Sequence, residues 1–300
     1  MEYVFEIDEL TKRYASLTAL DEITLSMQPG HMIGLIGRNG SGKTTLIQHL
    51  IGLLLPTRGT CRTLGCDAAS LGAEQLSRIG IVHQEARYID WMSVKQHIRY
   101  VASFYENWDR EREEKLVHEL DLDVNTKVVN LSTGDGQKLG IILAVCHHPD
   151  LLLLDEPAAA LDPIARVHLL EFLLELIRED DCSVLISSHI LRDIEQIVDW
   201  VICLDRGKLR VDTSLDQLQE RFCSWQISSP NGDLPDRFEE DFVLSQTGTP
   251  NQAQLLVRDA AEHLDAFRRR HGAHVETSTL NLERIFPLLV EETPSMELTP

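Results

Sequence analysis

Gly37-Arg38-Asn39-Gly40-Ser41-Gly42-Lys43-Thr44 is the stretch that decides the fold. It matches G-x-x-x-x-G-K-[ST], and its flanks supply the context that pattern needs. The short apolar run Met32–Ile36 reads as a strand before it, and Thr44–Leu55 is apolar enough for a buried helix after it. The glycines let the backbone curl so that its N–H groups point inward at phosphate oxygens. The helix after Gly42 adds the positive end of its dipole. Lys43 then reaches the terminal phosphates, and the Thr44 hydroxyl is placed to ligate Mg²⁺.

The second half of such a site lies at Leu151-Leu152-Leu153-Leu154-Asp155-Glu156. An apolar strand ending in Asp is the Walker B pattern, and Asp155 there helps to hold Mg²⁺. Glu156 falls where ligands gather in parallel sheets, and a carboxylate at that place can polarise an attacking water. Ile79–Val82, Val184–Ser187 and Val201–Leu204 are further short apolar runs bounded by polar or turn residues. They read as buried strands of a largely parallel sheet. Tyr3–Ile7 and Ile23–Met27 read as N-terminal strands.

Helical patterns lie between the strands. Asp162-Pro163 offers an N-cap followed by Pro at the first helical position, and Leu169, Leu170, Leu173, Leu176 and Ile177 form an apolar face. Ile190, Ile194, Ile197 and Val198 are spaced likewise. Ser93 and Gln96 form a capping box ahead of two helical patterns, the second heavily charged at Glu111–Glu114. This is an all-helical insertion, about residues 86–147, in an α/β chain. Ser214 with Gln217 repeats the cap signal at the end of the main domain.

From about Phe222 the character changes. Trp225–Ser228, Phe242–Gln246, Gln254–Val257 and His274–Ser278 read as strands, and Asp259–His271 as a helix. The Arg268-Arg269-Arg270-His271 run is read as cations at a helix C-terminus closed by Gly272, rather than as a phosphate patch. The expected division is a main domain over 1–220, a small α/β domain over 221–292 and a flexible tail over 293–300.

The chain has 300 residues, 28 Lys+Arg against 48 Asp+Glu, and a formal charge of −20. With 43% hydrophobic residues it is globular rather than disordered. Residues 221–300 carry 7 basic and 13 acidic side chains, so both parts are acidic and no basic module is hidden in the average. Such a surface repels phosphate backbones, which argues against a nucleic-acid partner. A pocket of backbone N–H groups and one Lys sets its own local field, so a phosphate site is still compatible. No apolar run approaches the roughly 18–20 residues of a membrane span, and the acidic start does not resemble a signal peptide. The expectation is a cytoplasmic chain. Its six cysteines form no C-x-x-C pair and read as reduced thiols, four of them in or beside apolar runs.

The order of motifs resembles the ATP-binding subunits of ABC transporters, bacterial exporter type. Gln84 follows a strand, as the family's Q-loop does. Leu131-Ser132-Thr133-Gly134-Asp135-Gly136-Gln137-Lys138 looks like the L-S-G-G-Q signature, just before a helix and about 20 residues before Walker B. Ala160-Leu161-Asp162 resembles the D-loop, His189 the switch histidine, and Tyr14 the aromatic that stacks on adenine. The resemblance implies an ABC-ATPase fold: a mixed sheet core, an N-terminal antiparallel part and a helical subdomain. It implies an ATPase that binds ATP and Mg²⁺. Tyr14, Gly37, Asn39, Gly40, Ser41, Gly42, Lys43, Thr44 and Thr45 would bind ATP; Thr44, Gln84 and Asp155 would hold the metal. Glu156, His189, Gln84 and Lys43 would be catalytic. Ser132, Gly134 and Asp135 would face the nucleotide of a second ATPase subunit, with Asp162 between, so that a homodimer or heterodimer sandwiches two ATP.

Three positions depart from the family pattern. Thr133 replaces a Gly, Asp135 replaces the Gln, and Ala160 stands where Gly or Ser is common. Asp135 sets a negative charge beside the phosphate-facing loop. The implied partner is a separate integral membrane permease, on the inner face of the cell membrane, with the chain held there peripherally. Tyr88, Trp91 and Met92, directly after Gln84, are expected either to form an apolar docking edge for it or to pack under the helical subdomain. The E-P-x-x-x-L-D-P string at Glu156–Pro163 and the Thr279–Phe286 ending resemble those of bacterial ATPase subunits of exporters, which implies export. The alternative is a soluble regulatory ABC-type ATPase not coupled to transport.

Overall fold

The computed structural model describes residues 3–84, 88–229, 234–235, 237–249 and 251–291. The expected tail, 293–300, lies outside them, as does the start of the helical insertion at Ala86. Two compact units are present, one reaching to Asp212 and one from Thr213 onward.

The first unit runs β1 (Phe5–Tyr14), β2 (Leu17–Met27), β3 (Met32–Ile36), α1 (Lys43–Leu50), β4 (Arg58–Thr63), β5 (Cys66–Asp67), α2 (Ala73–Leu76), β6 (Ile79–Val82), α3 (Val94–Ala102), α4 (Arg110–Glu119), α5 (Thr133–Val145), β7 (Leu151–Asp155), α6 (Pro163–Asp180), β8 (Ser183–Ser188), α7 (Leu191–Glu195), β9 (Trp200–Asp205) and β10 (Lys208–Ser214). It holds a four-stranded sheet, β2-β1-β4-β5, and a six-stranded sheet, β10-β9-β3-β8-β7-β6. The first is antiparallel through its pairings. In the second, β9-β3, β3-β8, β8-β7 and β7-β6 are all parallel. Strands β3, β7 and β8 are buried on both faces, which is why they read as unbroken apolar runs.

The core lies between the two sheets. Phe5, Ile7, Leu10, Leu20 and Ile23 of the antiparallel sheet meet Ile33, Leu35, Leu151, Leu153, Leu185 and Ile202 of the parallel one, with Leu46, Ile47 and Leu50 of α1 inside the same cluster. Helix α1 ends at Leu50, earlier than the apolar run through Leu55 suggested; Leu53 and Leu55 are exposed. Helices α6 and α7 pack against β8, and α7 also against β3. In the helical part, α3 and α4 both pack on α5. The Ser93 cap and its reciprocal Gln96 bond are both formed. At Ser214 only half the expected box forms, because Gln217 accepts from Thr213 Oγ1 instead.

The second unit runs α8 (Leu215–Arg221), β11 (Phe222–Ser228), β12 (Val243–Thr249), β13 (Gln252–Arg258), α9 (Ala260–His271), β14 (His274–Thr279) and α10 (Leu282–Glu291). Its sheet, β12-β13-β11-β14, is antiparallel throughout. Trp225, Leu255 and Val257 pack on Phe267 of α9 and on Phe238. The arginine run is spent within this unit: Arg268 donates to the Val275 carbonyl at 2.8 Å, Arg269 to that of Asp265 at 3.1 Å, and Arg270 pairs with Glu240 at 3.4 Å. Gly272 closes the helix at φ 58°.

Candidate nucleotide site

Parallel register builds the site. Ile36 pairs with Ser188, Asp155 with Ser187, and Val82 with Leu154. The segments that follow β3, β6, β7 and β8 therefore leave the sheet at one edge, the C-terminal edge where ligands of open α/β sheets bind. They carry residues 37–44, Gln84, Glu156 and His189.

An open cleft of about 400 Å³ lies there, lined by Tyr14, Asn39, Gly40, Ser41, Gly42, Lys43, Thr44, Thr45, Gln84 and Glu156. Leu17 and Ala19, which the sequence reading did not single out, line it as well. Tyr14 is half-exposed at its rim, with the Lys12 ammonium 5.0 Å from the ring centre. Gly42 is obligatory: its φ is 108°, and a Cβ there would stand 2.6 Å from the Ala19 carbonyl oxygen. Ser41 Oγ is buried without a partner among the described residues. A phosphate oxygen would satisfy it.

Lys43 Nζ donates to the Gly37 carbonyl at 2.9 Å and stands 3.6 Å from Glu156 Oε1, both side chains being 7% exposed. Glu156 Oε2 accepts from the His189 backbone N–H at 3.2 Å and lies 2.7 Å from His189 Nδ1. Glu156 itself has a left-handed backbone, φ 53°, uncommon for a non-glycine residue and typical of functional turns. Beneath it, Ser187 Oγ donates to Asp155 Oδ1 at 2.7 Å and accepts from the Glu156 N–H at 2.9 Å. Ser187 was missed by the sequence reading because a serine inside an apolar strand carries no periodic signal. Its position two residues before His189, on a strand expected to be buried, was the available clue.

The candidate metal set is oxygen only: the Thr44 hydroxyl, the Gln84 amide carbonyl and the Asp155 carboxylate. Thr44 and Gln84 line one cleft, and Asp155 is 2% exposed at the end of the adjoining strand. Hard oxygen donors of this kind suit Mg²⁺.

The signature residues are elsewhere. Ser132 caps α5, accepting from the Asp135 N–H at 3.1 Å. Ser132 and Thr133 line a second cleft with Gln84 and Tyr88, not the one around Lys43. A Cβ on Gly134 would lie 2.8 Å from the Ala160 carbonyl, so signature and D-loop are in close contact. Gln137 reinforces this: buried, it donates to the Glu156 carbonyl at 3.2 Å and accepts from the Ala160 N–H at 3.1 Å. Asp162 caps α6 through the N–H groups of Ile164 and Ala165, and the Ala165 bond chiefly holds its carboxyl below the usual range.

The apolar trio after Gln84 divides. Tyr88 donates its hydroxyl to the Gly136 carbonyl at 2.7 Å and burial pushes its phenol up; Met92 is buried; only Trp91, 70% exposed, faces outward. The expected edge of three residues is thus one residue, the others packing within the helical part. Of the cysteines, Cys61, Cys146, Cys182 and Cys203 are buried, and burial pushes the thiols of Cys61, Cys146 and Cys203 up to about 12.

A G-x-x-x-x-G-K-T loop, an Asp-Glu strand end and a histidine gathered on one sheet edge are the arrangement expected of a nucleotide-hydrolysing P-loop protein. The sequence pattern of the family described as "ABC transporter" matches residues 20–159. The bacitracin transport ATP-binding protein BcrA of Bacillus licheniformis is 33% identical over 236 residues, 77% of each chain. BcrA of Enterococcus faecalis is 29% identical over 301 residues, 97% of each chain. A solved dimeric ATP-binding cassette in a post-hydrolysis state, bound to ADP and Pi, superimposes with a TM-score of 0.64 at 23% identity, covering 70% of this chain and 98% of that one. The chain belongs to the ATP-binding proteins of ABC transporters, and its activity is ATP hydrolysis.

Proposed function

We propose that this chain is the energy-converting subunit of an exporter, closing as a dimer around two ATP and acting on a separate membrane permease. The observation that carries the reading is Glu156, buried at the mouth of the Lys43 cleft and held at 2.7 Å by His189. Lys43 would leave Glu156 for the β- and γ-phosphates, the loop N–H groups and Ser41 would take the remaining phosphate oxygens, and Tyr14 would stack on the base. Glu156, so released, would accept a proton from the attacking water while His189 orients it. Thr44, Gln84 and Asp155 would hold Mg²⁺, which neutralises charge on the phosphates when bound.

The dimer is favoured because Ser132 and Gly134 are not in the cleft of their own chain, as a site completed by a second copy requires. The solved cassette named above is dimeric. Transport is favoured by the two relatives described as bacitracin transport proteins, and export by the resemblance of the Glu156–Pro163 string and the Thr279–Phe286 ending to exporter subunits. Among the described residues no helix is long and apolar enough to cross a membrane, so the reading assigns the path to another chain, with Trp91 among the contacts and this chain peripheral on the inner face. ATP hydrolysis is assigned to the expected domain over 1–220 and an accessory role to that over 221–292, the chain dividing into its two compact units eight residues earlier, between Asp212 and Thr213.

Single-turnover ATP hydrolysis tests it. Glu156→Gln is expected to slow the chemical step by about a hundredfold or more while ATP still binds. Equal rates in parent and variant would mean that Glu156 is not the catalytic carboxylate.

A further inference from the structure

Asp135 stands in a closed set of contacts. One carboxylate oxygen accepts the Ser132 hydroxyl at 2.7 Å, and the Ser132 oxygen in turn accepts the Asp135 N–H at 3.1 Å. The other oxygen lies 3.3 Å from Lys138 Nζ. Lys138 is only 12% exposed at its side chain, while Asp135 is 36% exposed. The field of Lys138 also reaches Asp162, adding to the N–H bonds that lower its carboxyl. A nearly buried cation thus pairs with the carboxylate of the signature turn, and its field reaches that of the D-loop.

This arrangement has an energetic consequence. The proton of a serine hydroxyl can be given to one acceptor only. While it goes to Asp135, it is not available to a phosphate, and the carboxylate lies beside the place where that phosphate would arrive. A hydrogen bond to a charged acceptor is among the stronger ones. Lys138 acts in the opposite sense: it draws charge from Asp135 and offers a cation near an incoming polyanion.

We propose that Asp135 and Lys138 are an opposed pair of positioning residues that set how much ATP is needed to close the dimer. Asp135 holds the Ser132 hydroxyl back and repels the γ-phosphate of the facing subunit, and Lys138 offsets it. This rests on the dimer reading given under the proposed function.

The test uses the full chain with Glu156→Gln to slow hydrolysis, and measures dimer fraction by sedimentation against MgATP. Adding Asp135→Asn turns the charged acceptor into a neutral amide oxygen that holds the Ser132 hydroxyl more weakly and no longer repels phosphate, and is expected to lower the half-closing ATP concentration by about tenfold. Adding Lys138→Met is expected to raise it several-fold. ATP affinity of the monomer, measured at dilution, stays unchanged in both, since neither residue lines the Lys43 cleft. Opposite shifts support the proposal, because a merely structural role would move both variants the same way. Equal or absent shifts, with the Glu156→Gln parent still dimerising on ATP, overturn the pair and leave the dimer reading standing. No ATP-dependent dimer in the parent or either variant overturns the dimer reading and the pair with it.

Discussion

Ser187 gives the sharpest prediction. Its side chain is fully buried and spans two residues of the site, donating to Asp155 at 2.7 Å and accepting from the Glu156 N–H at 2.9 Å. Ser187→Ala removes both. The Glu156 N–H keeps a second acceptor, the Ser187 carbonyl at 3.2 Å, so it is not orphaned. The main loss is the bond to a buried carboxylate, worth about 2 kcal/mol. For a unit of this size that lowers the thermal midpoint by about 4–8 °C. The turn that sets Glu156 at φ 53° also loses its tie, so kcat is expected to fall about tenfold, a loss of about 1.4 kcal/mol in the transition state. KM for ATP should hold, since Ser187 does not line the cleft. Circular dichroism melts and steady-state ATPase assays measure the two effects. An unchanged midpoint together with an unchanged kcat would refute the assignment of Ser187 as the support of Asp155 and Glu156.

Two other outcomes are expected. His147 is buried, stacked at 4.2 Å on Tyr105 and 3.3 Å from the Ile79 carbonyl, and burial chiefly lowers its pKa to about 4. The unfolded state therefore binds the proton first, and the stability that neutral His147 contributes is whole above about pH 6.5 and is lost as pH falls through about 4. His147→Gln should remove about 3 kcal/mol of that pH dependence, read as the difference between parent and variant in urea midpoints from pH 7 to 4; parallel curves would contradict it. Trp91→Ala, at a 70% exposed position, should leave stability within about 0.5 kcal/mol yet weaken capture of the membrane subunit in a pull-down, and undiminished capture would remove Trp91 from the docking surface.

Much of the site was legible because its motifs are local. Residues 37–44 and 151–156 carry their chemistry in contiguous stretches, and the caps at Ser93 and Asp162 depend on neighbours two or three residues away. Strands β4 and β10 were not legible. Arg58–Thr63 buries only Cys61 and Thr63, and Lys208–Ser214 buries only Val211, so neither presents an apolar run.

The sequence by itself determined that a phosphate loop follows one buried strand, that an acidic pair ends another, and that helices and strands alternate between them. Those are patterns of spacing, set by backbone geometry over a few residues. Only the tertiary structure decided that β8 stands between β3 and β7, which brings Ser187 beneath Asp155 and His189 onto Glu156. It also decided that Gln137 ties the signature helix to Glu156 and Ala160, and that Tyr88 and Met92 turn inward while Trp91 does not. The physical reason is that strand order and side-chain pairing are fixed by which apolar faces can be buried together. That is settled between residues far apart in the chain, where spacing carries no signal.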